Sequence, residues 1–131
     1  GALEMYGSLL SALLNSFLQA KEVIMPYLVT TSTYPSDIAT KVAERYFEAL
    51  QKYPVDESQV KELVPAAVKS TNQGLKVMGF WEVQEGKLEG ALKRLTNFMV
   101  MFQTIPGFEY TIDINWKVEE ALGLLGMELP K

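Results

Sequence analysis

The sequence predicts an α+β fold of the split βαβ kind: a four-stranded antiparallel sheet with two helices on one face, plus an N-terminal amphipathic helix and a short C-terminal helix. Three observations predict it. Residues 74–116 read as strand, helix, strand; residues 27–54 read as strand then helix; and Asn72-Gln73-Gly74 supplies a hairpin turn between two strand-like runs.

A chain of 131 residues is one domain's worth, enough to bury about two-thirds of its extended surface. Its 48% apolar and 21% charged residues are those of a chain that packs rather than stays disordered. The net charge of −4, from 16 acids and 12 bases spread without a run, leaves no basic footprint for a nucleic-acid backbone. No cysteine is present, so disulfides and thiolate sites are excluded and a reducing, cytoplasmic setting is the expectation. No histidine is present either, which removes imidazole as base, metal ligand or haem ligand. Proton transfer falls to carboxylates, tyrosines or lysines. No cofactor and no metal are expected.

Residues 2–24 carry Leu3, Tyr6, Leu10, Leu13, Phe17, Ala20 and Ile24 at alternating spacings of three and four, a heptad seam. The stretch is interrupted by Ser8, Ser11, Asn15 and Ser16, too short a run for a membrane span, and has neither the start nor the cleavage site of a secretion signal. It reads as a packing helix against its own domain or a second copy, as a dedicated partner-binding or membrane-surface helix, or as an extension ahead of a start at Met25. The domain proper is then 25–131.

Tyr27–Thr33 is a strand by β-branching, closed by Tyr34-Pro35. Ser36 or Asp37 offers an N-cap to a helix with Ile38, Val42, Tyr46, Leu50 and Tyr53 on one stripe, stopped by Pro54. Residues 55–70 stay open: Asp56–Val64 suits a helical turn, Leu63–Thr71 a strand, and Pro65 confines any such strand to a sheet edge. Residues 75–83 put Leu75, Val77, Trp81 and Val83 on one face and Met78 and Phe80 on the other, the pattern of a central strand covered on both sides. A helix follows from about Lys87, with Leu88, Ala91, Leu95, Met99 and Phe102 inward, until Pro106-Gly107. Phe108–Trp116 alternates apolar and polar without error, and Val118–Leu125 is a short helix with Val118, Ala121, Leu122 and Leu125 inward and Gly126 as its cap.

Right-handed crossovers place the first and third strands in the centre and the second and fourth at the edges, which puts Pro65 on an edge. The helices cover one face only, so the second apolar face of the third strand needs cover from the N-terminal helix, from the sheet of another copy, or from both.

Gly86-Lys87-Leu88-Glu89-Gly90-Ala91-Leu92, Ile105-Pro106-Gly107-Phe108-Glu109-Tyr110 and Val118-Glu119-Glu120-Ala121-Leu122 resemble small proteins of the dimeric α+β barrel group, in which two ferredoxin-like protomers pack sheet to sheet. The resemblance spans roughly residues 26–126 and is one of layout. It implies a homodimer or higher oligomer, and the group's members include cofactor-free monooxygenases, isomerases, cyclases and haem enzymes, so it implies no single activity. The branch that needs an axial histidine does not fit a chain without one. The N-terminal helix departs from the group's usual layout.

Glu82 and Asp113 are the candidate catalytic carboxylates. Glu82 shares a strand face with Met78 and Phe80, where burial would raise its pKa; Asp113 shares a face with Glu109, a row suited to acid–base work or a hard cation. The plainer readings are a strand-end Glu reaching water and a solvated edge. Tyr27, Tyr34, Tyr46, Trp81, Tyr110 and Trp116 are the candidate pocket lining, against the plainer reading of core filling. Lys76–Val83 occupies the place of the base-stacking strand of ferredoxin-like RNA-binding modules but lacks its glycine and aromatic spacing, so no nucleic acid is expected. Two functions remain: a small-molecule-binding or cofactor-independent catalytic protein with an apolar pocket between sheet and helices, or a non-catalytic assembly protein that uses its sheet face and N-terminal helix.

Overall fold

The structure is a computed structural model that describes residues 7–11 and 24–130. Residues 7–11 are helical, with Leu9 and Leu10 exposed. The remainder of the helix expected over residues 2–24 lies outside the described residues.

The chain runs β1 (Tyr27–Tyr34), a 3₁₀ turn (Ser36–Ile38), α1 (Ala39–Lys52), β2 (Val60–Thr71), β3 (Gly74–Val83), α2 (Leu88–Val100), β4 (Glu109–Asn115) and α3 (Val118–Leu124). The sheet order is β2-β3-β1-β4, and every neighbouring pair is antiparallel. This is the ferredoxin-like arrangement, with β1 and β3 in the centre. Pro65 lies on the edge strand β2, where the pairing register slips on both sides of Val64; a residue without an N–H is tolerated there because the bulge and the outer edge leave it no ladder bond to make.

Register fixes the two faces. Leu28 pairs with Trp81 and Ile114, and Thr30 with Gly79 and Ile112, so these side chains share the helix-covered face. Val29, between Phe80 and Asp113, belongs to the opposite face, called the open face because α1 and α2 lie on the other side; Val29 itself is only 5% exposed. The core lies under the helices: Leu28, Val60, Trp81 and Val83 from the sheet meet Val42 and Ala49 of α1 and Ala91, Leu95, Phe98 and Met99 of α2.

The expected side-chain cap of α1 is absent. Neither Ser36 nor Asp37 caps the helix by a side-chain bond; the 3₁₀ turn after Pro35 does the work of entry. The uncertain stretch resolves as a turn followed by a longer strand. Asp56 Oδ1 accepts from the backbone N–H and the hydroxyl of Ser58 at 2.9 and 2.6 Å, and β2 begins at Val60, ahead of the Leu63 that composition suggested.

The C-terminal helix is present and ends as expected: Gly126 adopts φ 71°, with Met127 N–H donating to Leu122 O and Gly126 N–H to Gly123 O, a Schellman closure. Its packing differs from expectation. Val118 and Leu125 are 54% and 74% exposed, and no residue of α3 is buried. Spacing reveals which face of a helix is apolar, and says nothing of whether another element lies against it.

Candidate functional site

Between the helices and the sheet lies a cavity of about 260 Å³, lined mainly by apolar groups. Its floor is Thr30, Ser32, Val77 and Trp81; its roof is Val42, Tyr46, Phe98 and Met99; Glu62, Pro65, Ala66 and Val68 of β2 line it on the edge-strand side. The bulged, proline-bearing edge strand β2 is poorly covered, with Val68 61% exposed although it lines the cavity.

A chain of aromatic contacts frames the cavity. Tyr34 stacks on Phe108 at 5.7 Å, Phe108 on Phe102 at 5.0 Å, Phe102 lies 5.6 Å from Phe98, and Tyr46 meets Phe98 edge-on at 6.0 Å. Such pairs hold ring positions as well as burying area. Gly79 leaves the floor open to Trp81, whose ring passes over it: a Cβ at Gly79 would lie 2.5 Å from that ring.

Two charged groups line this otherwise oily space. Trp81 Nε1–H donates to Glu62 Oε2 at 2.9 Å. Arg94 reaches across from α2 and donates through Nε and Nη2 to the carbonyl of Tyr53 at 3.0 and 2.6 Å, with its guanidinium 4.9 Å from the centre of the Phe98 ring. Burial lowers the Arg94 pKa, while Glu62 and Tyr46 pull it back up. Tyr46 is raised, first by burial and then by Glu62, with Arg94 opposing. Burial alone raises Tyr34. Glu62, Arg94 and Tyr46 thus feel one another's charge at the edge of the cavity, where Glu62 is exposed and Arg94 half-buried.

Arg45 acts on the other helix in the same way. It donates from α1 to the carbonyl of Met101 and to Thr104 Oγ1, so each helix's arginine bonds the chain where the other helix ends. Cations there satisfy orphan carbonyls and the negative end of the helix dipole.

Of the residues picked out by the sequence, the structure brings Tyr34, Tyr46 and Trp81 together in the cavity. Tyr110 lies on the same face without lining it, and its hydroxyl donates to Gln103 Oε1 at 2.8 Å. Trp116 is 48% exposed beyond the end of β4. Tyr27 sits on the open face, with Lys117 Nζ 5.6 Å from its ring centre. Glu82 is also on that face, in an ion pair with Lys117 at 2.8 Å. Asp113 is exposed on β4 beside Thr111, whose hydroxyl lies 3.3 Å from its carboxylate. Four residue steps along the strand set Glu109 about 13 Å from Asp113, too far to share one ion or proton. Neither Glu82 nor Asp113 enters the cavity.

The charged pair that does enter it, Glu62 and Arg94, was not singled out from the sequence. Arg94 left a trace: the chain has two arginines among its 12 basic residues, and arginine rather than lysine marks a need for several donors in fixed geometry. Glu62 left none, because it falls where strand and turn readings competed.

No protein-family model matches the chain, and no curated protein matches it in sequence. Among solved structures, a de novo designed protein, Foldit4, is 9% identical, with a TM-score of 0.45, over 71% of this chain and 97% of its own. The C-terminal domain of the MgtC protein from Mycobacterium tuberculosis is 12% identical, with a TM-score of 0.39, over 75% and 97%. A nipsnap family protein with unknown function from Agrobacterium tumefaciens is 13% identical, with a TM-score of 0.38, over 73% and 92%. The strand order and pairing of the chain itself make it a ferredoxin-like α+β domain.

Proposed function

We propose that this protein binds a small, largely apolar molecule in the cavity between its helices and its sheet, and does so as a homodimer or higher oligomer. The observation that carries the binding reading is the cavity itself. Protein interiors close to crystal-like density with few voids larger than a water molecule; about 260 Å³ of aromatic-framed space with an open mouth approaches the dimensions of ligand sites. A cofactor-independent reaction in this space would draw on Glu62 as its carboxylate. Glu82 and Asp113 lie on the open face, where any proton-transfer role would require a site completed by a second sheet.

The test uses Trp81 as reporter. In a Trp116→Phe background its emission should change saturably on titration with naphthalene, and Val77→Phe, which fills the cavity from the floor, should abolish the change while leaving the fold intact by circular dichroism. Absence of a saturable change in the folded, unfilled protein overturns the reading.

A second reading, assembly through the open sheet face, is favoured by one observation. Val29, Thr31, Met78 and Phe80 form a weakly polar centre, flanked by Glu109 and Asp113 on the β4 side and by Lys61, Lys69 and Lys76 on the β2 side. Opposite charge on opposite flanks of one apolar face is self-complementary under a two-fold axis.

A further inference from the structure

The apolar lining says that the cavity takes an oily body; the two charges at its edge say what that body must end in. Glu62 and Arg94 are each held in place by one protein contact, the Trp81 indole N–H for the carboxylate and the Tyr53 carbonyl for the guanidinium. Among the described residues neither belongs to an ion pair, and Glu62 Oε1 and Arg94 Nη1 have no hydrogen-bond partner. Glu62 is exposed and Arg94 half-buried, so the rim of the cavity offers a free acceptor and a free donor, each anchored by its one contact, next to apolar walls.

Each charge screens against ligands that the other would attract. A carboxylate drawn to Arg94 meets Glu62, and an ammonium drawn to Glu62 meets Arg94; with Glu62 exposed and Arg94 half-buried at the rim, both repulsions act through charges that water screens in part. An uncharged end that carries a donor and an acceptor together satisfies both at once and leaves neither polar group desolvated and unpaired. A carboxamide is such an end: its N–H faces the carboxylate while its carbonyl accepts from the guanidinium.

We infer that the ligand of this cavity is an uncharged amphiphile, an apolar body ending in a carboxamide or hydroxyl, with the polar end seated between Glu62 and Arg94. This rests on the binding reading above, and the experiment separates the two. Naphthamide, naphthoate, naphthylmethylammonium and naphthalene share one body, and each is titrated against the full chain at neutral pH by calorimetry and Trp81 emission.

The amide should bind at least about tenfold tighter than either charged analogue or the bare hydrocarbon. Glu62→Gln, which keeps an acceptor for the Trp81 indole, should strengthen naphthoate by about tenfold and leave naphthylmethylammonium weak; Arg94→Met should do the reverse. A merely structural role for either residue would move all four affinities together. Equal affinities across the series, or naphthoate as the tightest ligand of the unmodified protein, overturns the inference while the cavity remains a binding site. Failure of every probe, naphthalene included, overturns both. If Arg94→Met does not fold, Glu62→Gln alone decides, because only the charge screen predicts that removing a carboxylate rescues an anion.

Discussion

Gly79 and Trp81 set the shape of the cavity floor. Because a Cβ at Gly79 would lie 2.5 Å from the Trp81 ring and 3.0 Å from Thr30 Oγ1, Gly79→Ala must lift the indole off the strand. That overpacking should cost about 1–3 kcal/mol in urea unfolding and shift Trp81 emission in a Trp116→Phe background. Trp81 is 7% exposed, so Trp81→Ala should cost more, about 3–5 kcal/mol. Trp81→Phe keeps much of the bulk and loses the N–H to Glu62; it should cost about 0.5–1 kcal/mol, since the Glu62 carboxylate can turn to water. The order of the three losses is the check. A Trp81→Ala loss near zero would show that the indole is not part of the core.

At the scale of the element, α3 is attached by polar contacts rather than by an apolar face. Lys117 Nζ bonds Glu82 at 2.8 Å; Glu120 accepts at its two oxygens from the backbone N–H of Met25 at 2.6 Å and of Lys117 at 3.1 Å. The Lys117 pKa is raised above 10.5, chiefly by its hydrogen bond to Glu82. Stability from this pair is therefore fully present below pH 10.5 and fades as pH rises through the higher folded value. Thermal midpoints of the unmodified protein should fall faster above that pH than those of Lys117→Met, and the gap at neutral pH should be worth about 0.5–1 kcal/mol; parallel curves would show that the pair does not hold α3. The same element marks where sequence reading stops. β4 was legible because an edge strand with one wet face alternates without exception. α1, α2 and the order of the strands followed from stripes, prolines and crossover handedness. The apolar stripe of α3 was equally legible, but nothing local to Val118 or Leu125 says whether a neighbour is there to receive it. β2 was only half legible, because its start depends on a turn closed by Asp56 and Ser58 and its middle on a bulge at Pro65. Glu62 sits between those two irregularities. Its placement beside Trp81, and hence the charged half of the site, is a matter of pairing register that one strand's residues cannot reveal.

For the whole molecule, the open face decides whether the chain works alone. Strand β3 places Met78 and Phe80 there, opposite Thr31 and Val29 of β1, on the side away from α1 and α2; Val29 is 5% exposed and Thr31, Met78 and Phe80 are half-buried. Two sheets packed face to face about an axis parallel to the strands bring the β4 flank of one over the β2 flank of the other, so Glu109 and Asp113 would face Lys61, Lys69 and Lys76. An axis across the strands would instead set acid against acid, so the charges select the aligned geometry. Sedimentation of the unmodified chain at micromolar concentration should show a dimer that weakens as salt rises. Lys69→Glu with Lys76→Glu should weaken self-association by at least about tenfold, and so should Glu109→Lys with Asp113→Lys, because each places like charges together. Mixing the two variants should restore a dimer of one copy of each, since an acidic copy then faces a basic one at both flanks. A monomer at every concentration, or a dimer indifferent to both charge reversals, would place the interface elsewhere, and the cavity under the helices would then have to be understood within a single protomer.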